Sequence, residues 1–261
     1  MPIFNADFHK VSVPLKHVLQ FMLLIGFCLT TVADSDVTGD LTAFKERLQN
    51  SVAWKSMGVQ ISDLQTSPMP GFYTVLLTSG EVVYVDESVN FVVGEMLIEL
   101  TDDEAIHHTN AFKKDYRKKV LAEADLPTLN YSPPDGTKYI AYVFTDTSCG
   151  YCRQLHQEME GYHDLGVEIR YIFWARAGIQ SKPHEEMVSA WCAQNPHKAL
   201  DLLKQGRSIP QKSCKNRLEQ NYNVVRQLGL DGTPAIVLED GTLIGGYVTP
   251  PNLLRHIDRS S

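Results

Sequence analysis

The sequence predicts an α+β domain at the N-terminus, a connecting helix, and an α/β domain with a helical insertion at the C-terminus. Three observations predict this order. Short β-branched runs lie between turn residues before residue 100, a charged helical pattern follows, and strand and helix patterns alternate from about residue 130 onward. The chain of 261 residues is long enough for one large domain or two modest ones.

The composition is that of an ordinary globular protein. Hydrophobic residues make up 43% of the chain and charged residues 21%. The formal net charge of −7 offers no broad basic surface for phosphate groups. We therefore expect no nucleic acid among the partners.

Residues 1–33 are typical of a secretory signal. Basic residues precede a short apolar run at residues 18–29, and the small residues Thr31 and Ala33 take the −3 and −1 positions of a cleavage site. Twelve helical residues rise about 18 Å, whereas the hydrocarbon core of a membrane is roughly 30 Å thick. This length favours export with cleavage near Ala33 over an uncleaved anchor.

Export changes the meaning of the cysteines. Cys28 would leave with the signal, and the mature chain would keep four cysteines. An even number in an oxidising compartment favours two disulfide pairs over free thiols or zinc ligands.

The first mature segment, residues 34–100, predicts a short helix followed by a small sheet. Apolar residues recur at helical spacing after the possible cap Asp40. They are Leu41, Phe44, Leu48 and Val52. Ser79 and Gly80 separate two β-branched runs as in a hairpin, and residues 91–93 predict a third strand. Such a small unit buries little apolar surface, so we expect it to need a partner subunit.

A connecting helix is predicted within residues 101–129. Thr101 followed by Glu104 matches the capping-box pattern, and the helical pattern then runs for twenty-three residues, or about 35 Å, and ends before Pro127. Its apolar stripe is thin, which is typical of a helix exposed on most sides.

Residues 130–261 alternate between strand and helix patterns. Strands are predicted at 139–144, 167–174 and 234–238, a polar helical region at 182–228, and a last short helix at 251–258. The sequence Cys149-Gly150-Tyr151-Cys152 directly follows the first of these strands, at the predicted start of a helix.

This position suits thiol chemistry. The first turn of a helix has unpaired N–H groups and a partial positive charge, so we expect the pKa of Cys149 to lie below the free-thiol value of about 8.5. Cys152, one turn later, is expected to be more deeply buried and to resolve a mixed disulfide formed at Cys149. Gly150 is expected to allow a close approach of the chain, with Tyr151 filling the remaining position.

Two other interpretations of the cysteine pair are weaker. A zinc site needs two further ligands, but the other two cysteines are separated by twenty-one residues. His156 lies only one turn beyond Cys152, and we expect it to be an exposed helix residue. A purely structural disulfide within one turn closes too short a loop to stabilise much. We therefore expect no metal and no cofactor.

Thr233 and Pro234 lie immediately before an apolar strand. Proline at the start of a strand is typical of an edge, a turn or a cis peptide bond. Because cis bonds are the minority state before proline, the residues alone favour trans.

Together these motifs resemble the DsbC/DsbG family of thioredoxin-like thiol:disulfide interchange proteins. The resemblance rests on "FTDTSCGYC", "GTPAIVLEDGTLIGGY" and the Trp191-Cys192 pair. It implies a thioredoxin-like catalytic domain with a helical insertion, and it identifies the N-terminal segment as a dimerisation domain. It also implies that Cys192 and Cys214 form a non-catalytic disulfide.

The resemblance further implies roles at the site. Cys149 is the attacking cysteine and Cys152 the resolving one, while Thr233 and Pro234 form a cis-proline loop that binds substrate backbone, beside Gly150 and Tyr151. The implied function is a homodimeric periplasmic disulfide isomerase with chaperone activity, acting on misoxidised proteins and recycled by a DsbD-type membrane reductant. Two alternatives stay open: a DsbG-like reductase or isomerase with a narrower client set, and a holdase chaperone.

Overall fold

The computed structural model describes residues 35–259, with side chains from residue 40, so the predicted signal and Cys28 lie outside the described residues. The helices are α1 (Ser35–Asn50), α2 (Val52–Ser56), α3 (His108–Glu123), α4 (Gly150–Gln157), α5 (Met159–Asp164), α6 (Lys182–Trp191), α7 (Pro196–Lys204), α8 (Gln220–Gln227) and α9 (Pro250–Asp258). The strands are β1 (Ile61–Thr66), β2 (Phe72–Leu77), β3 (Val82–Asp86), β4 (Val92–Gly94), β5 (Ile98–Leu100), β6 (Ala105–His107), β7 (Leu129–Tyr131), β8 (Tyr139–Thr145), β9 (Val167–Phe173), β10 (Ala235–Leu238) and β11 (Leu243–Gly245). None of the helices in this range has the length and apolar character that crossing a membrane requires.

The N-terminal sheet has four antiparallel strands in the order β1-β2-β3-β4. Phe44 and Leu48 of α1 are buried against it, and the ring of Phe44 stacks on Tyr73 with centroids 3.8 Å apart. Val52 does not continue this buried face as expected. Its side chain is 83% exposed, because α1 ends at Asn50 and Val52 is the first residue of a separate helix, α2.

The connecting helix begins later than predicted. Residues 98–107 form the β5–β6 hairpin, and the Thr101 hydroxyl accepts from the Glu104 N–H within its turn at 3.0 Å. The pattern that predicted a helix start at Thr101 therefore belongs to a hairpin turn. Helix α3 starts at His108 and has sixteen residues, or about 24 Å of rise. The limits of the domains themselves stay predictions.

The C-terminal sheet has the strand order β11-β10-β8-β9-β7. Strands β8 and β9 are parallel and are connected through α4 and α5, whereas the other neighbours are antiparallel. Strand β9 is buried at six of its seven positions and β8 at four of seven, including the three that precede the cysteine motif. Helices α6, α7 and α8 form an insertion between β9 and β10. This topology places the C-terminal end of β8 directly before the cysteine motif.

Candidate active site

The loop from β8 to α4 is held by one buried carboxylate. Asp146 accepts hydrogen bonds from the N–H and the hydroxyl of Ser148, both at 2.7 Å, and from the N–H of Arg176 at 3.0 Å. These bonds stabilise the turn that delivers Cys149 to the N-cap position of α4, where its backbone is extended.

The structure brings the two distant motifs together at Cys149. Its Sγ donates to the carbonyl oxygen of Thr233 at 3.1 Å, across 84 positions of sequence. The Thr233–Pro234 peptide bond is cis, as the resemblance implies, and not trans, as the residues alone favour. Cys149 and Cys152 are both free and both buried, with Cys152 the deeper of the two.

The two cysteines have pKa values displaced in opposite directions. Burial raises the pKa of Cys149, but the nearby Thr233 hydroxyl, the N–H and thiol of Cys152, and the charge of Arg176 together lower it below the usual thiol value. Cys149 is therefore the more acidic thiol of the pair and the better candidate nucleophile.

Burial dominates at Cys152 and raises the pKa of that thiol. The charge of Lys204, the N–H of Asp146 and the hydroxyl of Thr145 oppose burial without overcoming it. The geometry thus separates a reactive thiol at the helix start from a less acidic thiol one turn below.

Tyr151 is 64% exposed in front of the motif. Its ring stacks on Tyr247 with centroids 6.4 Å apart, and the Tyr247 hydroxyl donates to Glu158 at 2.6 Å. The expected close approach of the chain at Gly150 is wrong, because a side chain built there would meet no atom within 4 Å. The space beside Gly150 is open.

The prediction that His156 is an exposed helix residue is wrong. Only 11% of its side chain is exposed, and its ring bonds to the Tyr171 hydroxyl at 3.2 Å and to Asp201 at 3.0 Å. Burial and the charge of Lys204 lower the pKa of His156, against the opposing effect of Asp201. A buried polar cluster therefore lies beneath the cysteine motif.

Cys192 and Cys214 form a disulfide, with Cα atoms 5.7 Å apart. Cys192 caps the C-terminal end of α6, within the helical insertion. The disulfide stabilises that insertion rather than contributing a thiol to the site.

Sequence reasoning missed Lys204, which lies under the motif. The signal for it was present in α7, whose buried positions recur at helical spacing. Those positions are Ala199, Leu200, Leu203 and Lys204. A lysine on the apolar face of an amphipathic helix is uncommon, because burying a charge is costly.

Comparisons with known proteins agree with this architecture. Residues 33–105 match the family described as "Disulfide bond isomerase protein N-terminal domain", and residues 128–260 match the family described as "Thioredoxin-like domain". The chain is 34% identical to the thiol:disulfide interchange protein DsbC of Escherichia coli K12 over 233 residues, covering 89% of this chain and 95% of that protein. It is 30% identical to DsbC of Haemophilus influenzae, covering 92% of this chain and all of that protein. The chain therefore belongs to the DsbC family of thiol:disulfide interchange proteins.

Proposed function

We propose that this protein is a disulfide isomerase that attacks non-native disulfides through Cys149. The observation that carries the proposal is the acidic thiol of Cys149 at the start of α4, in contact with the cis Thr233–Pro234 loop. The Cys149 thiolate attacks one sulfur of a wrong disulfide, which forms a mixed disulfide and releases the other sulfur as a thiolate.

Two outcomes follow from the mixed disulfide. If a substrate thiolate attacks the substrate sulfur bound to Cys149, a new substrate disulfide forms and Cys149 leaves as thiolate, without net redox change. If Cys152 attacks Cys149 instead, the substrate leaves reduced and the enzyme is left oxidised. The second outcome requires an external reductant, for which we propose a DsbD-type membrane protein.

We assign substrate binding to the surface around Cys149. Thr233 and Pro234 present backbone next to the sulfur, and the exposed ring of Tyr151 offers an apolar contact beside the open space at Gly150. An exposed aromatic ring suits misoxidised proteins, which expose apolar side chains that the native fold would bury.

Dimerisation is assigned to the N-terminal sheet. Strand β4 is the last strand of that sheet, and apolar side chains around it are exposed. They are Phe91, Val92, Val93, Met96 and Leu100. An apolar edge strand is an interaction surface, because it presents unpaired backbone groups beside apolar side chains. The second subunit would place a second Cys149 near the same bound substrate, in the periplasm after cleavage of the predicted signal.

Refolding of scrambled ribonuclease tests the proposed function. We expect Cys149→Ser to reduce isomerase activity to background, because no thiolate remains to attack the substrate. Cys152→Ser keeps the attacking thiol and serves as the matched comparison, so it should accumulate a mixed disulfide with the substrate. Wild-type activity in Cys149→Ser would contradict the proposal. Protection of citrate synthase against aggregation, unaffected by alkylation of Cys149, would then assign the chain to the holdase alternative.

A further inference from the structure

Helix α7 carries a lysine into the interior beneath the cysteine motif. Lys204 is 1% exposed, whereas Lys198 on the same helix is exposed. Within residues 40–259, no carboxylate lies within 4.0 Å of the Lys204 ammonium. Burying an ammonium group without an ionic partner costs the folded state free energy. Packing alone would favour an apolar side chain at this position.

The contacts of Lys204 point to the cysteine motif. Its Nζ donates to the Thr145 hydroxyl at 2.5 Å and to the carbonyl oxygen of Asp146 at 3.3 Å. It also lies 5.5 Å from the centre of the Tyr171 ring. Thr145 and Asp146 are the residues through which β8 enters the motif loop, and the Thr145 hydroxyl and Asp146 N–H both face the sulfur of Cys152. The ammonium and the deeper thiol therefore share two neighbours.

We propose that Lys204 is a positioning residue for Cys152, whose thiolate it stabilises through the Thr145 hydroxyl when Cys152 resolves the mixed disulfide at Cys149. This inference rests on the proposed function. In the resolving step the Cys152–Cys149 bond forms and the bond between Cys149 and the substrate sulfur breaks. The substrate sulfur takes the electron pair of the broken bond, and it takes up the proton that Cys152 releases. In this step Cys152 is oxidised and the substrate sulfur is reduced, while Cys149 exchanges one disulfide partner for another.

The charges around Lys204 are consistent with this role. Six charged or titratable groups surround the Lys204 ammonium, and they come from α4, β9 and the motif loop. They are Cys149, Cys152, Arg153, His156, Tyr171 and Asp146. Burial lowers the pKa of Lys204 to about 8, although the two cysteines and Asp146 raise it. Most of the population is therefore protonated at neutral pH and able to donate to Thr145.

Single-turnover reduction of a symmetrical peptide disulfide separates the two steps. Release of the first peptide thiol reports attack by Cys149, and release of the second reports resolution by Cys152. We expect Lys204→Met, which preserves chain length without charge, to slow the second release about tenfold while the first changes less than about twofold. Thr145→Val should slow the second release in the same direction, because it removes the connecting hydroxyl.

Two controls distinguish a positioning role from a structural one. Lys198→Met removes an exposed lysine from the same helix and should leave both releases unchanged. Lys204→Met should also raise the melting temperature of the oxidised protein, because it removes a buried charge, whereas loss of a structural lysine would lower it. A second release within twofold of wild type in both Lys204→Met and Thr145→Val overturns the inference, as does a lowered melting temperature in Lys204→Met. Absence of any first release in the wild type would instead contradict the proposed function.

Discussion

The two sheets of this protein differ in which energetically unfavourable groups they carry: the N-terminal sheet exposes apolar side chains, and the C-terminal domain buries charged ones. The N-terminal sheet leaves apolar side chains exposed along its last strand, and Leu100 in the following hairpin is 82% exposed. The C-terminal sheet buries most of the apolar residues in its strands, whereas the charged side chains of Lys204 and Asp146 are buried beneath the cysteine motif. Exposed apolar surface and buried charge both oppose folding of an isolated chain.

Each region therefore shows where stability is given up for function. An exposed apolar edge loses its cost when a second subunit covers it. Association does not remove the cost of the buried Lys204 ammonium, for which we proposed a role in stabilising the Cys152 thiolate. The comparison predicts that the cost of the exposed apolar edge disappears when two subunits associate. It also predicts that the cost of the buried ammonium disappears when Lys204 loses its proton.

Blocking the edge should have the largest effect. The Asp86 N–H donates to Phe91, and the Glu95 N–H donates to Val82, so the alternating ladder directs the N–H of Val92 away from β3. Val92→Pro removes that outward donor and leaves the β3–β4 bonds in place. We expect the dissociation constant of the dimer to rise by about a thousandfold, or about 4 kcal/mol, measured by sedimentation.

Val92→Thr is the matched control, because it retains a β-branched side chain and the backbone donor. Val92→Pro should keep the reactivity of Cys149 toward a small disulfide and lose isomerase activity on large substrates, which the two sites would otherwise engage together. An unchanged dissociation constant in Val92→Pro would place the dimer interface elsewhere.

Titration of Lys204 should have the next largest effect. Its pKa is about 8 in the folded chain and 10.5 in its ordinary state, so the unfolded chain binds more protons between these values. Stability therefore rises with pH across this window, and the buried charge costs about 3 kcal/mol at pH 7. Lys204→Met should be more stable than wild type by about this amount at pH 7, and the advantage should fall below about 1 kcal/mol by pH 10.

Urea unfolding of the oxidised protein measures this difference without titration of the motif cysteines. Because the two free thiols raise the pKa of Lys204, the difference in the oxidised protein should be at least as large. The pKa of His156 also depends on the charge of Lys204, so the two proteins are compared from pH 7 upward, above the ordinary range of histidine. Lys198→Met should differ little from wild type at any pH. A difference between Lys204→Met and wild type that stays constant from pH 7 to pH 10 would show that packing, and not charge, determines it.

Local patterns predicted most of the site and little of what lies beneath it. The helix start at Cys149 follows from a strand and a motif that are adjacent in sequence. The burial of His156 depends on Asp201, which lies forty-five positions later on α7. No local pattern contains that contact, so His156 was predicted to be exposed.

The same reasoning explains the displaced start of α3. A threonine whose side chain accepts from the N–H three residues later occurs both at helix starts and in tight turns. Thr101 and Glu104 satisfy the pattern inside the β5–β6 turn. Pairing of strands decides between the two structures, and pairing is a non-local interaction.

The smallest expected effect concerns the contact between the two regions. Gly80, in the β2–β3 turn, has φ +86°, and a Cβ there would lie 2.7 Å from the Cα of Gly229, which follows α8. Gly80→Ala should lower the free energy of unfolding by about 2 kcal/mol, from left-handed backbone strain together with displacement of Gly229.

Gly71→Ala separates these two causes. Gly71 has φ +75° in the same sheet, but a Cβ there would meet no atom within 4 Å. Gly71→Ala should lower the free energy of unfolding by about 1 kcal/mol, from backbone strain alone. Hydrogen exchange should accelerate at Leu228 and Leu230 in Gly80→Ala and not in Gly71→Ala, because only the first substitution displaces the neighbouring backbone. Equal losses of stability and equal exchange would mean that the two sheets do not restrain each other at this contact.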